Sequence, residues 1–486
     1  MRGPVAISLA ALLFGLAGQQ LFFARAAGVN VLLATALLLA LAWWLRPGDV
    51  DLDLADIWLP AAAIVFAAFC AIRTDAALVA FDGAAAAGLT VASLIALGGT
   101  KVARLDAAAI ATELADMTLE VVDRPIRLAL VASGPIARWL RSRTGRVSRY
   151  ASGAILASPF LIVFGALFAS ADPVFARWTN QLLDVERWRE LFRDAGLRLL
   201  LAIVLTWLAA ATLAQLTRGP RRHVAKTWPG AVHVEAATVL VACIDLLFAL
   251  FVALQVGYLF GGRDTIDAAG VPYSAYARRG FFELIGCATL VVGLLFGLGL
   301  QSRTRSRITA GLELVLVGLT LVVLASAWFR MGLYQLAYGW TELRFYALTG
   351  IVFLGLALPI VAFSVVADRM RFVIQPLAAA ALVVAIGVNV LSPSAFVARA
   401  DLQRSIDPSG LPDDAERRMD ATYLVGLGDG ALPVLIETLP VLPSADRDRL
   451  VAILRATAVG RRNANEPWES LNLDRARAAL ALEALP

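Results

Sequence analysis

The chain has 486 residues, of which 59% are hydrophobic and 17% are charged, and its formal net charge is +5. A mean hydropathy of +0.74 excludes an ordinary soluble domain. Only two histidines and three cysteines occur, and each cysteine falls within an apolar stretch. This scarcity argues against haem, a multi-histidine metal site, a histidine-based catalytic triad and a disulfide framework, so we expect no metal and no cofactor.

Eleven apolar stretches are each long enough to cross a hydrocarbon layer of about 30 Å as a helix. Lipid admits only helices or closed barrels, so the sequence predicts an all-α, polytopic membrane protein. The first stretch has some features of a secretory signal, but its apolar core is long and a second stretch follows at once, which favours a retained span. The predicted spans are Pro4–Ala24, Ala27–Leu45, Ile57–Ile72, Ala76–Gly98, Tyr150–Ala171, Gly196–Leu216, Glu235–Phe260, Gly280–Leu300, Ile308–Phe329, Phe345–Ala367 and Ile374–Leu391.

Composition divides the chain into four predicted segments. These are a four-span segment at 1–100, a loop at 101–149, a seven-span core at 150–391 and a small helical tail domain at 392–486. In the loop, Lys101–Asp123 predicts an amphipathic helix that Pro125 and Pro135 interrupt. The following basic run, Arg138–Arg149, predicts contact with anionic lipid, and we expect no nucleic-acid partner.

The tail changes to a polar, helix-forming composition after Leu391. Its predicted helices are Asp413–Leu427, Ala431–Leu439, Asp446–Ala458 and Asn472–Leu485. The predicted core of the tail consists of Leu424, Val425, Leu432, Leu435, Ile436, Leu450, Ile453 and Leu454. About 95 residues are just enough for a small helical domain.

Orientation follows from the lysines and arginines on alternate sides of the spans. One side carries twenty of them and the other eleven. Positive charge favours the cytoplasm, so we predict a cytoplasmic N-terminus and an extracytoplasmic tail.

With that orientation, several charged and aromatic residues lie at the extracytoplasmic boundary of the membrane that the chain spans. Arg330, Tyr334, Tyr338 and Glu342 are spaced by four, which predicts a single helical face. Two interpretations stay open: structural ion pairs with interface anchoring, or a cup that binds a headgroup, peptide or anion. The candidate ligand- or partner-binding residues are Asp172, Tyr276, Arg278, Arg279, Glu283, Arg330, Tyr334, Tyr338, Glu342 and Arg344.

Among the acids in predicted spans, Asp82 and Asp245 lie nearest the middle of their helices, and Glu313 is a further intramembrane polar residue. A central acid costs roughly 2.5 to 3.5 kcal/mol to insert, so each needs an explanation. A proton or cation path would need such acids to face one another or water. The alternative is interhelical hydrogen bonding, which the small residues around Asp82 favour.

Four segments carry a family resemblance: Phe168–Phe175, Tyr276–Leu284, Arg330–Arg344 and Leu424–Pro433. They resemble the bacterial multipass membrane family named domain of unknown function 4173, whose sister family is numbered 4153. The likeness runs from about Tyr150 to the C-terminus. It implies a bacterial inner-membrane protein with an outward tail, and it implies no activity.

The leading functional interpretation is a non-enzymatic envelope scaffold or sensor that binds a partner or ligand at the outer cup. The lipid bilayer is an expected partner, together with an envelope protein or lipid headgroup outside. A secondary transporter or proton-coupled carrier is the alternative, based on the intramembrane acids. A third possibility, an intramembrane enzyme acting on lipid or glycan, would need an acid such as Glu283 or Glu342, and no catalytic residue is assigned.

Overall fold

The computed structural model describes residues 3–48, 50, 53–143, 185–217, 233–260, 281–301, 306–409, 411, 419–461 and 467–485. Over these residues the backbone forms α-helices, short 3-10 turns and loops, without a β-strand. In chain order the helices are α1 Pro4–Phe22, α2 Val29–Leu45, α3 Trp58–Ile72, α4 Ala76–Leu97, α5 Ala107–Arg143, α6 Val185–Leu213, α7 Val234–Phe260, α8 Phe281–Gln301, α9 Arg307–Tyr338, α10 Glu342–Val366, α11 Ile374–Leu391, α12 Pro393–Ile406, α13 Ala421–Gly426, α14 Leu432–Thr438, α15 Ser444–Arg461 and α16 Leu473–Glu483.

Nine helical segments within the described ranges are long and apolar enough to cross a membrane. The predicted all-α, polytopic membrane fold is therefore confirmed. The helix α2 has only 17 residues, and the predicted span Tyr150–Ala171 lies outside the described residues. The nine are Pro4–Phe22, Leu54–Ile72, Ala76–Leu97, Asp194–Thr217, Val234–Leu254, Phe282–Leu300, Arg307–Tyr338, Glu342–Val366 and Met370–Leu391.

The helix α5 continues through both of its prolines, so the predicted interruption is wrong. Pro125 has no N–H to donate to the carbonyl of Val121, one turn earlier. The indole Nε1 of Trp207 in α6 donates to that oxygen instead, at 2.8 Å. The neighbouring Arg124 donates from Nη1 to the carbonyl oxygen of Ala214 at 2.8 Å. These contacts from α6 and the turn after it explain how the helix tolerates the first proline.

The helix α9 is longer than predicted, with 32 residues, and ends at Gly339. Gly339 has φ +76°, a left-handed conformation that glycine adopts readily. The next helix opens at Glu342, so Glu342 does not share one helical face with Arg330, Tyr334 and Tyr338. The spacing of four residues failed here because the chain turns inside the repeat.

The chain divides into two compact units. Unit 1 comprises Met1–Ala67, Ala85–Val102 and Leu114–Arg221. In this unit α1 packs along α6 at glycine positions. A methyl group at Gly15 would collide with the side chain of Thr206, and one at Gly18 would lie 2.7 Å from Cδ1 of Leu205. At Gly15, where the backbone oxygen of Ala202 is also close, the two helices can approach this closely only because the residue lacks a side chain.

Unit 2 comprises Ala68–Ala84, Ala103–Glu113 and Arg222–Pro486. One of its cores lies among helices α7 to α11, where Leu316, Leu358 and Val361 are fully buried. The other core combines tail residues with the span residues Phe345 and Val388.

The tail contains the helices α12 to α16, and α12 was not predicted. Predicted Ala431–Leu439, Asp446–Ala458 and Asn472–Leu485 correspond to α14, α15 and α16. Of the predicted helix Asp413–Leu427, residues 413–418 lie outside the described residues, and Ala421–Gly426 forms α13. The predicted tail core is confirmed: Leu424, Leu432, Leu435, Leu450 and Leu454 are buried, and Val425, Ile436 and Ile453 pack against them.

Candidate functional site at the tail-capped turns

The turn between α9 and α10 is held by the tail helix α12. Arg404 donates from Nη1 to the carbonyl oxygens of Gln335 at 3.0 Å and Leu336 at 2.8 Å, and from Nη2 to that of Ala337 at 3.4 Å. The last carbonyls of a helix have no partner within it and carry partial negative charge. A cation from the tail therefore caps the end of a membrane helix.

Asp401, one turn before Arg404, holds the other side of the same turn. Its Oδ1 accepts a hydrogen bond from the backbone N–H of Trp340 at 2.7 Å. Burial raises the pKa of Asp401 to about 6, against the opposing effects of that hydrogen bond and of nearby Arg404 and Arg344. A methyl group at Gly339 would lie 2.8 Å from Oδ1, so this contact also requires glycine.

Three predicted site residues come together beside this turn. The Arg344 side chain folds back and donates from Nη1 to the carbonyl oxygens of Tyr338 at 3.1 Å and Gly339 at 2.6 Å. Its guanidinium lies 4.0 Å from the ring centre of Tyr334, and the two tyrosine rings meet edge to face at 5.1 Å. A cation over an aromatic face is attracted by the ring, so the arginine and tyrosines form one stack.

Glu342 lies in a different environment from this stack. Its backbone N–H donates to the hydroxyl of Tyr423 at 3.0 Å, and its carboxyl contacts the carboxyl of Asp75. Asp75 in turn accepts hydrogen bonds from the Tyr346 hydroxyl at 2.9 Å and from the Leu78 N–H at 2.8 Å. The acid predicted for the cup therefore belongs to a network with the α3–α4 turn and the tail.

A cavity of about 280 Å³ lies among these groups. Its lining is mostly polar and comes from the α9–α10 turn and the tail. The lining residues are Tyr338, Gly339, Trp340, Thr341, Arg344, Asp401, Arg404, Ser405, Met419, Asp420, Tyr423 and Leu424.

Two further predicted cup residues, Glu283 and Arg330, do not line this cavity. Glu283 is exposed near the start of α8, and Arg330 is half-buried on α9, two turns before Tyr338. Asp172, Tyr276, Arg278 and Arg279 lie outside the described residues.

A second contact joins the tail to the α3–α4 turn. Arg73 forms an ion pair with Asp474 at 3.3 Å and also donates to the carbonyl oxygen of Asn389. Asn472 donates from Nδ2 to the carbonyl oxygens of Cys70 at 3.1 Å and Arg73 at 2.8 Å. Burial raises the pKa of Asp474, while Arg73 opposes this effect. We call these contacts the Arg73 latch and those of Asp401 and Arg404 the Arg404 latch.

The sequence did not identify either latch. Arg73 and Asp75 are polar residues in a connection of a few residues between two spans, which is the one signal that marks this turn. Asp401, Arg404 and Tyr423 give no such signal, because nothing in the tail sequence indicates which turn each of them contacts.

Two of the intramembrane acids differ in their surroundings. Asp82 accepts a hydrogen bond from Nδ2 of Asn389 on α11 at 2.9 Å, which favours the interhelical interpretation. Asp245 is 7% exposed on α7, and neither carboxylate oxygen has a hydrogen-bond partner among the described residues. Glu313 is 1% exposed on α9. In the same described residues, no group of three or more acids, histidines or cysteines could hold a metal ion.

Apolar helices of membrane length, together with turns that a helical tail caps, define a polytopic α-helical membrane protein with a docked tail. Residues 61–438 match the family model described as Domain of unknown function (DUF4153). The chain belongs to this family; the sequence motifs had indicated its sister family 4173, which this match does not confirm. No curated protein and no solved structure matches the chain.

Proposed function

We propose that this protein is a non-enzymatic membrane scaffold that holds its helical tail at one membrane face and presents it to an envelope partner. The main support is the way the arginines are used. Arg344 donates to backbone carbonyls of its own turn, and Arg404 joins that turn to the tail. Such pairing suits a scaffold better than an open site for an anion, which would need arginines directed into solvent.

The two latches also favour a rigid presentation of the tail. Each latch joins the tail to a turn between two spans, and both turns therefore lie on the tail side of the membrane. The excess of arginine on the opposite connections supports an extracytoplasmic tail in a bacterial inner membrane. Cysteine accessibility at Ser409 in intact cells tests this orientation; labelling only after permeabilisation would refute it.

Photocrosslinking in intact cells tests the scaffold itself. A photoreactive amino acid is placed at Val441 or Val459, whose side chains are 63% and 65% exposed, or at fully buried Leu435 as a control. We expect a discrete adduct from the exposed positions and none from Leu435. Failure of both exposed positions to give an adduct would refute the proposal.

Removal of both latches makes this test specific. In the double variant Arg73→Gln, Arg404→Gln, we expect the adduct to disappear at an unchanged amount of protein in the membrane. The matched control is Arg399→Gln, an exposed arginine on the same helix as Arg404, which should keep the adduct. An adduct that persists without the latches would show that tail presentation does not depend on them.

A proton- or cation-coupled carrier is the second candidate, and one observation favours it. Asp245 is buried without a hydrogen-bond partner among the described residues, as a group that takes up an ion would be. Reconstituted vesicles with an internal pH dye provide the test, with Asp82→Asn as the matched control. A flux that survives Asp245→Asn would reject the role of this acid.

A further inference from the structure

The segment that leads into α16 has a reversed polarity: its large apolar side chains are exposed and its polar side chains are buried. The exposed fractions are 57% for Trp468, 54% for Leu471 and 41% for Leu473. The buried polar residues between and beside them are Glu469, Ser470, Asn472 and Asp474, each 5% exposed or less. Water disfavours this arrangement, since burying one large apolar side chain is worth about 1.5 to 3 kcal/mol.

This segment is attached to the end of a membrane span. Asn472 donates to the carbonyl oxygens of Cys70 and Arg73, and the span Leu54–Ile72 ends between those two residues. The ion pair between Arg73 and Asp474 also holds the start of α16 at the end of this span. The reversed segment therefore lies at the level where α3 leaves the hydrocarbon layer.

The apolar surface continues along α16. Leu473, Arg477 and Leu480 are separated by four and three residues, so they share one face of the helix. Leu480 is 67% exposed, and Arg477 is also exposed. Tryptophan and arginine are enriched where a protein meets lipid headgroups, because each combines an apolar body with a polar end.

We propose that Trp468, Leu471, Leu473 and Leu480 form a lipid-contacting face that lies in the headgroup layer of the membrane that the chain spans. Arg477 lies on the same face, where lipid phosphates are available. The bilayer is the occupant to which the position points, because the face continues directly from the end of a span. A lipid-facing surface also accounts for the buried polar side chains, which the protein and not the lipid must satisfy.

Site-directed spin labelling of the full chain in nanodiscs tests this face. The three cysteines are first replaced by alanine, and single cysteines are introduced at Leu471 and Leu480. Val441 and Val459 serve as matched controls on other elements of the tail, with similar exposed fractions. Relaxation by oxygen, which concentrates in lipid, is compared with relaxation by a water-soluble nickel chelate.

At Leu471 and Leu480 we expect an oxygen-to-nickel ratio several-fold above that at the two controls. We also expect brominated lipid to quench a fluorophore at Leu471 but not one at Val441. Equal ratios at all four positions would show that the face is in water and would overturn the proposal. Low accessibility to both reagents at Leu471 would show that protein, such as a second copy of the chain, covers the face, and would overturn it equally.

Discussion

The indole of Trp207 compensates for a missing backbone donor, and a double-mutant cycle can measure this. In Trp207→Phe, the carbonyl of Val121 loses its donor, while Pro125 still cannot provide one. A partly buried carbonyl left without a hydrogen bond costs about 1 to 3 kcal/mol, and the partial exposure here favours the lower part of that range. We therefore expect a loss of about 1 kcal/mol from the hydrogen bond, plus a loss from the smaller ring.

Pro125→Ala separates these two losses. Alanine restores the N–H that an uninterrupted helix donates to the carbonyl of Val121, so the indole is no longer its main donor. In this background Trp207→Phe should lose only the packing of the larger ring. The coupling energy between the two substitutions should then be about 1 kcal/mol, the value of one hydrogen bond.

Unfolding by titration with sodium dodecyl sulfate in mixed micelles gives the free energy for all four proteins of the cycle. The control is Trp44→Phe on α2, which replaces a ring that is 54% exposed. A coupling energy near zero would refute the compensation by Trp207.

Three further predictions concern Asp401, Gly339 and Gly15. The folded-state pKa of Asp401 is about 6, above the ordinary value of about 4, so folding favours the protonated form. The resulting contribution of Asp401 to the free energy of unfolding, on the order of 3 kcal/mol, is fully present below pH 4 and is lost as the pH rises through 6. Asp401→Asn should therefore flatten the pH profile of the free energy of unfolding between pH 4 and pH 6. An unchanged profile would contradict the assignment. Gly339→Ala should lower the free energy of unfolding by about 1 to 2 kcal/mol from the positive φ alone, measured by the same titration, whereas Gly350→Ala, with open space around it, is the control. Gly15→Leu should destabilise unit 1 by about 1 to 3 kcal/mol through overpacking against α6, seen as a lower thermal midpoint in detergent, and Gly3→Leu at an open position should not.

The spans and the tail core could be predicted because both depend on local patterns. A helix that crosses lipid must be apolar over its whole length, so its sequence identifies it without knowledge of its neighbours. In the tail, Leu432 and Leu435 recur at helical spacing, and both are buried. Fold class and much of the core follow from such periodicity.

The two latches, the continuous helix at Pro125 and the turn before Glu342 could not be predicted from local patterns. Pro125 looked like a helix breaker until Trp207, in another helix, supplied the missing donor. Glu342 fitted a helical repeat that ends at Gly339, where the backbone turns. Arg404 and Arg73 acquire their roles only when the tail folds back onto the turns between spans.

The hydrogen bonds of Asn472 affect the order in which parts of the chain can complete their folding during synthesis. This one side chain begins α16, by accepting N–H groups of Asp474 and Arg475, and closes the end of α3 about 400 residues earlier. A ribosome that adds 5 to 20 residues per second needs roughly 20 to 80 s to cover that interval. During that time the carbonyl oxygens of Cys70 and Arg73 lack the hydrogen bonds that Asn472 donates in the finished chain. A product truncated before Trp468 would never acquire these hydrogen bonds, so the tail could not cap the end of α3 in it.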